Sequence, residues 1–184
     1  TQTWRYRTDP ARDSGGPATG PVVYATLGSM AGSMAPLRGA YHLALEALGR
    51  TGLRALMTTG WAFDPSELGT PPPNVEVRAW ATREQRSGVR AVLCHGGSGT
   101  LLEALGSGTP VVVVPLFADH FANAVALEAS GAGLAVPAWP DGGAREIADA
   151  LARVLAEPAF EAAAREMSAA EDTLDIAERL AGLA

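Results

Sequence analysis

Lysine is missing from the 184-residue chain, and all 14 basic residues are arginine. Against 20 acidic residues this leaves a formal net charge of -6. Non-specific nucleic-acid binding needs basic stripes, so no nucleic-acid partner is expected. An anion that binds must be held by local groups rather than by a global field. Cysteine occurs once, at Cys94, which leaves no internal disulfide and no multi-cysteine metal site. No apolar run reaches the length of a membrane span, and the first residues carry no signal-peptide pattern. The expectation is a cytoplasmic protein with no membrane partner. Apolar material is plentiful by contrast. Hydrophobic residues make up 47% of the chain, enough for a sizeable core in one domain or at most two.

Residues 1–20 are rich in Gly, Pro, Thr, Ser and Asp and read as a linker or arm. Residues 21–184 are regular and read as one domain. Strands are expected at Val22–Leu27, Leu53–Thr59, Asn74–Trp80, Ala91–Cys94, Val111–Val114 and Gly133–Val136. Leu37, Tyr41, Leu45 and Leu48 recur at helical spacing. Further helices are expected from about Ser98 to Leu105 and from Phe121 to Ala129. Three more are expected in the tail, around Ile147–Leu155, after Pro158 and around Ile176–Leu183. Strands alternating with helices imply an α/β fold: a Rossmann-like, parallel six-stranded sheet with helices on both faces.

Ligands of such sheets bind beyond the carboxyl ends of the strands. Two strand ends combine glycine with hydroxyl groups: Leu27-Gly28-Ser29 and Cys94-His95-Gly96-Gly97-Ser98-Gly99-Thr100. The second opens a helix, whose first N–H groups lack partners and attract phosphate. Glycine lets an anion approach the backbone. Ser98, Thr100 and His95 add side-chain donors, His95 more strongly when protonated. The plainer alternative is a tight turn beside a packed core histidine. The stretch is neither a Walker loop, since the lysine is missing, nor a GxGxxG fingerprint, since its glycines are spaced differently. Cys94 reads as a small buried apolar residue and His42 as a surface one.

The run HGGSGTLLEALGSGTPVVVVPLFADHFANA resembles the donor-binding signature of inverting, GT-B-fold glycosyltransferases. The resemblance is to the C-terminal domain of the bacterial natural-product (antibiotic) type, related to the UDP-glucuronosyl and UDP-glucosyl transferases. It extends from about Val22 to the C-terminus, with its core at Trp80–Asn123. It implies that Trp80 stacks on a nucleobase and that the Ala81 backbone meets the base edge. Glu103 would accept from ribose hydroxyls. Gly28, Ser29, His95, Gly97, Ser98, Gly99 and Thr100 would bind the diphosphate, and Asp119 and His120 the donor sugar. Two departures stand out. Thr82-Arg83 replaces the usual Pro-Gln, and His120 replaces the usual glutamine.

The resemblance also implies an architecture. A preceding N-terminal domain would bind a small-molecule acceptor and supply the catalytic base, so no catalytic residue is expected in this chain. The chain would then be an isolated donor half, inactive alone. The expected reaction is sugar transfer of the hexosyltransferase type, from a UDP- or dTDP-sugar to an acceptor hydroxyl with inversion, needing no metal or cofactor. The alternatives are a non-catalytic nucleotide-sugar-binding module and one half of a UDP-sugar epimerase. Serine hydrolysis fits poorly, because Gly97-Ser98-Gly99 lacks the spacing of a nucleophile elbow.

Overall fold

β-branched and apolar residues concentrate in six short runs. Each run is a strand in the computed structural model, which describes residues 20–169 and 173–183. The strands are β1 (Val23–Thr26), β2 (Ala55–Thr58), β3 (Val75–Arg78), β4 (Ala91–Cys94), β5 (Val111–Val113) and β6 (Gly133–Ala135). The helices are α1 (Arg38–Thr51), α2 (Ser98–Gly106), α3 (His120–Ser130), α4 (Ala144–Ala156), α5 (Pro158–Ser168) and α6 (Thr173–Ala181). All strands pair in parallel, in the order β3-β2-β1-β4-β5-β6. This is the doubly wound order expected of a Rossmann-like sheet.

The period-two pleat sends alternate side chains to opposite layers. Ala91, Leu93, Val112 and Val114 join the core under α1 and α4. Val92, Cys94, Val111 and Val113 join the core under α2, α3, α5 and α6. The Val111–Val114 run is therefore apolar throughout because both of its faces are covered. Each fully buried leucine in these layers, such as Leu93 or Leu105, contributes about 2 kcal/mol to folding. Proline suits the first position of α5, where its missing N–H has no helical partner to lose.

The strands are shorter than their apolar runs. β2 stops at Thr58 and β3 at Arg78. Backbone bonds nevertheless continue the pairing, from Thr59 N–H to the Arg78 carbonyl at 3.0 Å and from Gly60 N–H to the Ala79 carbonyl at 2.9 Å. The short 3-10 turns at Pro65–Leu68 and Glu84–Arg86 were not expected from the sequence. Asp64 caps the first by accepting from Ser66 N–H, and Glu67 reaches back to Asp64 N–H. The expected arm at 1–20 lies outside the described residues except for Gly20. No helix among the described residues is long and apolar enough to cross a membrane.

Strand order reverses between β1 and β4, which are neighbours from Val23–Ala91 to Thr26–Cys94. Their carboxyl ends carry the Gly28-Ser29 and His95–Thr100 segments, so the topology alone brings the two turns together.

Candidate functional site

The His95 ring lies between the two turns. A Cβ on Gly28 would stand 2.7 Å from His95 Nε2, and one on Gly97 would stand 2.5 Å from the same atom. No real Cβ packs that closely, so both positions must be glycine for the ring to sit there. Gly28 also has φ of 79°, a conformation that glycine adopts without steric cost. Buried Tyr41 on α1 braces this turn by donating its hydroxyl to the Gly28 carbonyl at 3.4 Å. Burial pushes that phenol up to about 12, so it stays a neutral donor. Gly97 begins α2 without any side-chain cap, which leaves the first N–H groups of the helix to the open edge.

Burial drives the His95 pKa down to about 4. His120 beside it acts in the same direction, while Asp119 and the Thr26 backbone only partly offset the two. His95 Nδ1 is buried without a well-formed hydrogen bond. The ring is therefore neutral near pH 7. The stronger, protonated donor that the sequence allowed is thus not its resting state.

His120 sits edge-on to His95, with ring centroids 4.5 Å apart at 87°. Its Nδ1 accepts from Phe117 N–H at 3.3 Å, which places the proton of the neutral ring on Nε2. It is only 4% exposed. The imidazole expected to reach a donor sugar is thus packed inside, because its bond to Phe117 and its contact with His95 turn it away from solvent.

Asp119 is exposed at the start of α3. Ala118 before it adopts φ of 55°, the one positive φ among described non-glycine residues, and swings the carboxylate toward α2. Ser98 Oγ donates to Asp119 Oδ2 at 3.0 Å and holds that carboxyl below the usual range. Asn123 Nδ2 donates to the Gly96 carbonyl at 2.9 Å, to Ser98 Oγ at 3.2 Å and to Asp119 Oδ2 at 3.1 Å. Asn123 thereby fixes its own loop and ties α3 to the glycine turn. Cys94 is fully buried, and burial pushes its thiol up to about 12.

Trp80 is 57% exposed at the end of β3, and Ala81 after it is buried. Trp61, which the sequence pattern did not single out, stacks on Trp80 with centroids 5.2 Å apart at 26°. Glu103 on α2 is paired with Arg86, Oε1 to Nη1 at 2.8 Å. The Arg86 guanidinium also lies 5.2 Å over the Tyr24 ring. Glu103 keeps capacity for further donors, since a carboxylate offers about four acceptor sites. Arg86 pins the segment after Trp80 against α2. Arg86→Ala is expected to cost about 1 kcal/mol of stability. Arg86→Lys should recover little of it, because an ammonium lacks the planar fork. Urea denaturation of both variants checks this. Arg83, by contrast, is exposed.

The structure thus brings Gly28, Ser29, His95, Gly97, Ser98, Gly99, Thr100 and Asp119 to one edge of the sheet, with Trp80 along it. Comparison with known proteins adds to this picture. The family described as the C-terminal domain of erythromycin biosynthesis protein CIII-like proteins matches residues 60–178. Elloramycin glycosyltransferase ElmGT of Streptomyces olivaceus is 43% identical over 114 residues, covering 61% of this chain and 28% of that protein. The crystal structure of CalG4, the calicheamicin glycosyltransferase, superposes with a TM-score of 0.66 at 29% identity, over 89% of this chain and 39% of that one. Glycosyltransferase VinC, solved in complex with dTDP, gives 0.65 at 26% identity, over 90% and 38%. These neighbours are GT-B glycosyltransferases, and the sheet described here is one Rossmann-like half of that fold. In each case this chain corresponds to less than half of the relative's length.

Proposed function

This chain belongs to the erythromycin biosynthesis protein CIII-like C-terminal domain family, and we propose that residues 21–184 are the nucleotide-sugar donor domain of a glycosyltransferase. The observation that carries this reading is the His95 ring held between Gly28 and Gly97 at the switch point of the sheet. Backbone N–H groups of α2, among them that of Ser98, the Ser29 and Thr100 hydroxyls and the His95 ring stand along the edge where a diphosphate would lie. Trp80 offers a flat apolar face for the base, and Glu103 a carboxylate for the ribose. Asp119, already ordered by Ser98 and Asn123, is placed to accept from a donor-sugar hydroxyl.

The proposed reaction is sugar transfer with inversion. A hydroxyl of a small-molecule acceptor, deprotonated by a base outside this domain, attacks the anomeric carbon opposite the nucleotide. The C–O bond to the diphosphate breaks and the configuration inverts. Charge develops on the leaving diphosphate, and the preorganised donors of the glycine turn stabilise it. The donor set of amides, hydroxyls and a neutral imidazole carries out this role without a metal. Elloramycin and calicheamicin glycosyltransferases among the relatives support a natural-product acceptor, and the dTDP complex of VinC supports a pyrimidine nucleotide. Alone, the domain binds donor without turning it over.

Calorimetric titration with UDP, dTDP, ADP, GDP and NAD, with no metal added, tests the reading. Selective binding of UDP or dTDP is the expected result. Equal binding of all five would contradict it.

A further inference from the structure

Trp61 is 78% exposed, more than any other large apolar side chain among the described residues. Nothing in the local sequence Gly60-Trp61-Ala62 explains an indole held in water. The backbone does. The parallel register that sets Thr58 beside Arg78 runs on past both strand ends through the Thr59 and Gly60 bonds to Arg78 and Ala79. That continuation delivers Trp61 alongside Trp80. Gly60 makes the turn with φ of 78°, packed so tightly that a Cβ there would stand 3.1 Å from the Gly28 carbonyl oxygen and 3.2 Å from Ser29 Cα. The Trp61 turn therefore leans directly on the Gly28-Ser29 turn. Thr59 Oγ1 at the base of this turn is buried without a partner, so the turn is kept despite the cost of an unsatisfied hydroxyl.

We infer that Trp61 is a positioning residue for nucleobase recognition: its indole backs Trp80, so that a base stacks as the third layer on the open face of Trp80. This rests on the donor-domain reading above. The two indoles stack with centroids 5.2 Å apart, less than the roughly 7 Å that an inserted base would need, so no base fits between them. A lone Trp80 would rotate about its side-chain torsions and lose that freedom on binding. Trp61 fixes its plane beforehand, which lowers the entropic cost of stacking. The packing of Gly60 on Gly28-Ser29 also fixes the distance from the base platform to the phosphate turn, so base and diphosphate are read by one rigid unit.

The test compares UDP or dTDP, whichever binds better, with inorganic pyrophosphate, on wild type, Trp61→Ala, Trp61→Phe and Trp80→Ala. Trp61→Ala is expected to bind the nucleotide about fivefold more weakly, with pyrophosphate unchanged. Trp61→Phe should stay within about twofold, since a phenyl ring still offers a stacking face. The exciton couplet of the stacked indoles in circular dichroism should vanish in both alanine variants and change when nucleotide binds. A Trp61→Ala protein with unchanged nucleotide affinity, or with nucleotide and pyrophosphate weakened equally, would overturn the inference. If Trp80→Ala loses nucleotide and Trp61→Ala does not, this inference alone falls. If wild type binds nucleotide no better than pyrophosphate, the donor reading falls and takes the inference with it.

Discussion

Gly97→Ala is expected to weaken UDP or dTDP binding about a hundredfold or more while leaving the domain folded. Gly97 has φ of -65° and ψ of 137°, which any residue adopts, so backbone strain plays no part. The whole effect comes from one methyl group. It would stand 2.5 Å from His95 Nε2 and 2.9 Å from Cε1. The ring has little room to retreat, because even a Cβ on Gly28 would stand 2.7 Å from Nε2 and His120 packs edge-on against the ring. His95 must therefore leave the gap, and the methyl takes the volume that a phosphate oxygen needs. Hydrogen bonds to a charged group are worth about 1.5–3 kcal/mol each, so losing one or two gives the stated factor. Calorimetry on the variant checks it, with far-ultraviolet circular dichroism as the control for folding. Wild-type affinity in Gly97→Ala would show that His95 and the first turn of α2 do not hold the anion.

The domain is also expected to lose about 2–3 kcal/mol of stability through His95 as pH falls from about 6.5 to about 4. The sign follows from where the proton goes. The native state keeps His95 neutral down to about 4, whereas the unfolded chain takes up a proton near the ordinary 6.5. Between these values the unfolded state binds more protons, so stability rises with pH across the window. The contribution is complete above about 6.5, falls through this window and is fully lost once the folded ring itself takes up a proton near 4. His120, lowered mainly by burial, adds in the same direction. Asp119, lowered mainly by its bond from Ser98, is stabilising above the ordinary carboxylate range, so its contribution disappears at lower pH. Urea denaturation of wild type and His95→Asn across this window separates the effect. The wild type should lose markedly more stability than the variant. Parallel curves would mean that His95 is not held neutral by its surroundings.

The architecture was legible because its signals are local. A run such as Val111–Val114 and the alternation of strand and helix patterns define a doubly wound sheet, and every expected strand is present. The glycine turn was legible too, although only part of its reason was. Glycine was expected to admit an anion to the backbone. Gly28 and Gly97 also make room for the His95 ring, and that depends on β1 and β4 being neighbours. The inward turn of His120 depends on the Phe117 amide and on the His95 ring, which the fold brings beside the start of α3. Glu103 finds Arg86 only after the 3-10 turn at Glu84–Arg86 folds against α2. Trp61 has no sequence signature, since its partner is a neighbour across strands. The Asp64–Glu67 capping box was the exception. It is written locally as Asp-Pro-Ser-Glu, yet it was not drawn from the sequence.

In the function proposed above, the turns after β1 and β4 grip a diphosphate while Trp80 carries the base. Amide, indole and imidazole resonances of the isotope-labelled domain, followed during titration with dTDP and separately with pyrophosphate, test it most directly. Both ligands are expected to shift the amides of Ser29, Ser98, Gly99 and Thr100 and the His95 ring, and only dTDP the Trp80 and Trp61 indoles. Shifts confined to another part of the surface, or indoles that respond equally to pyrophosphate, would contradict it.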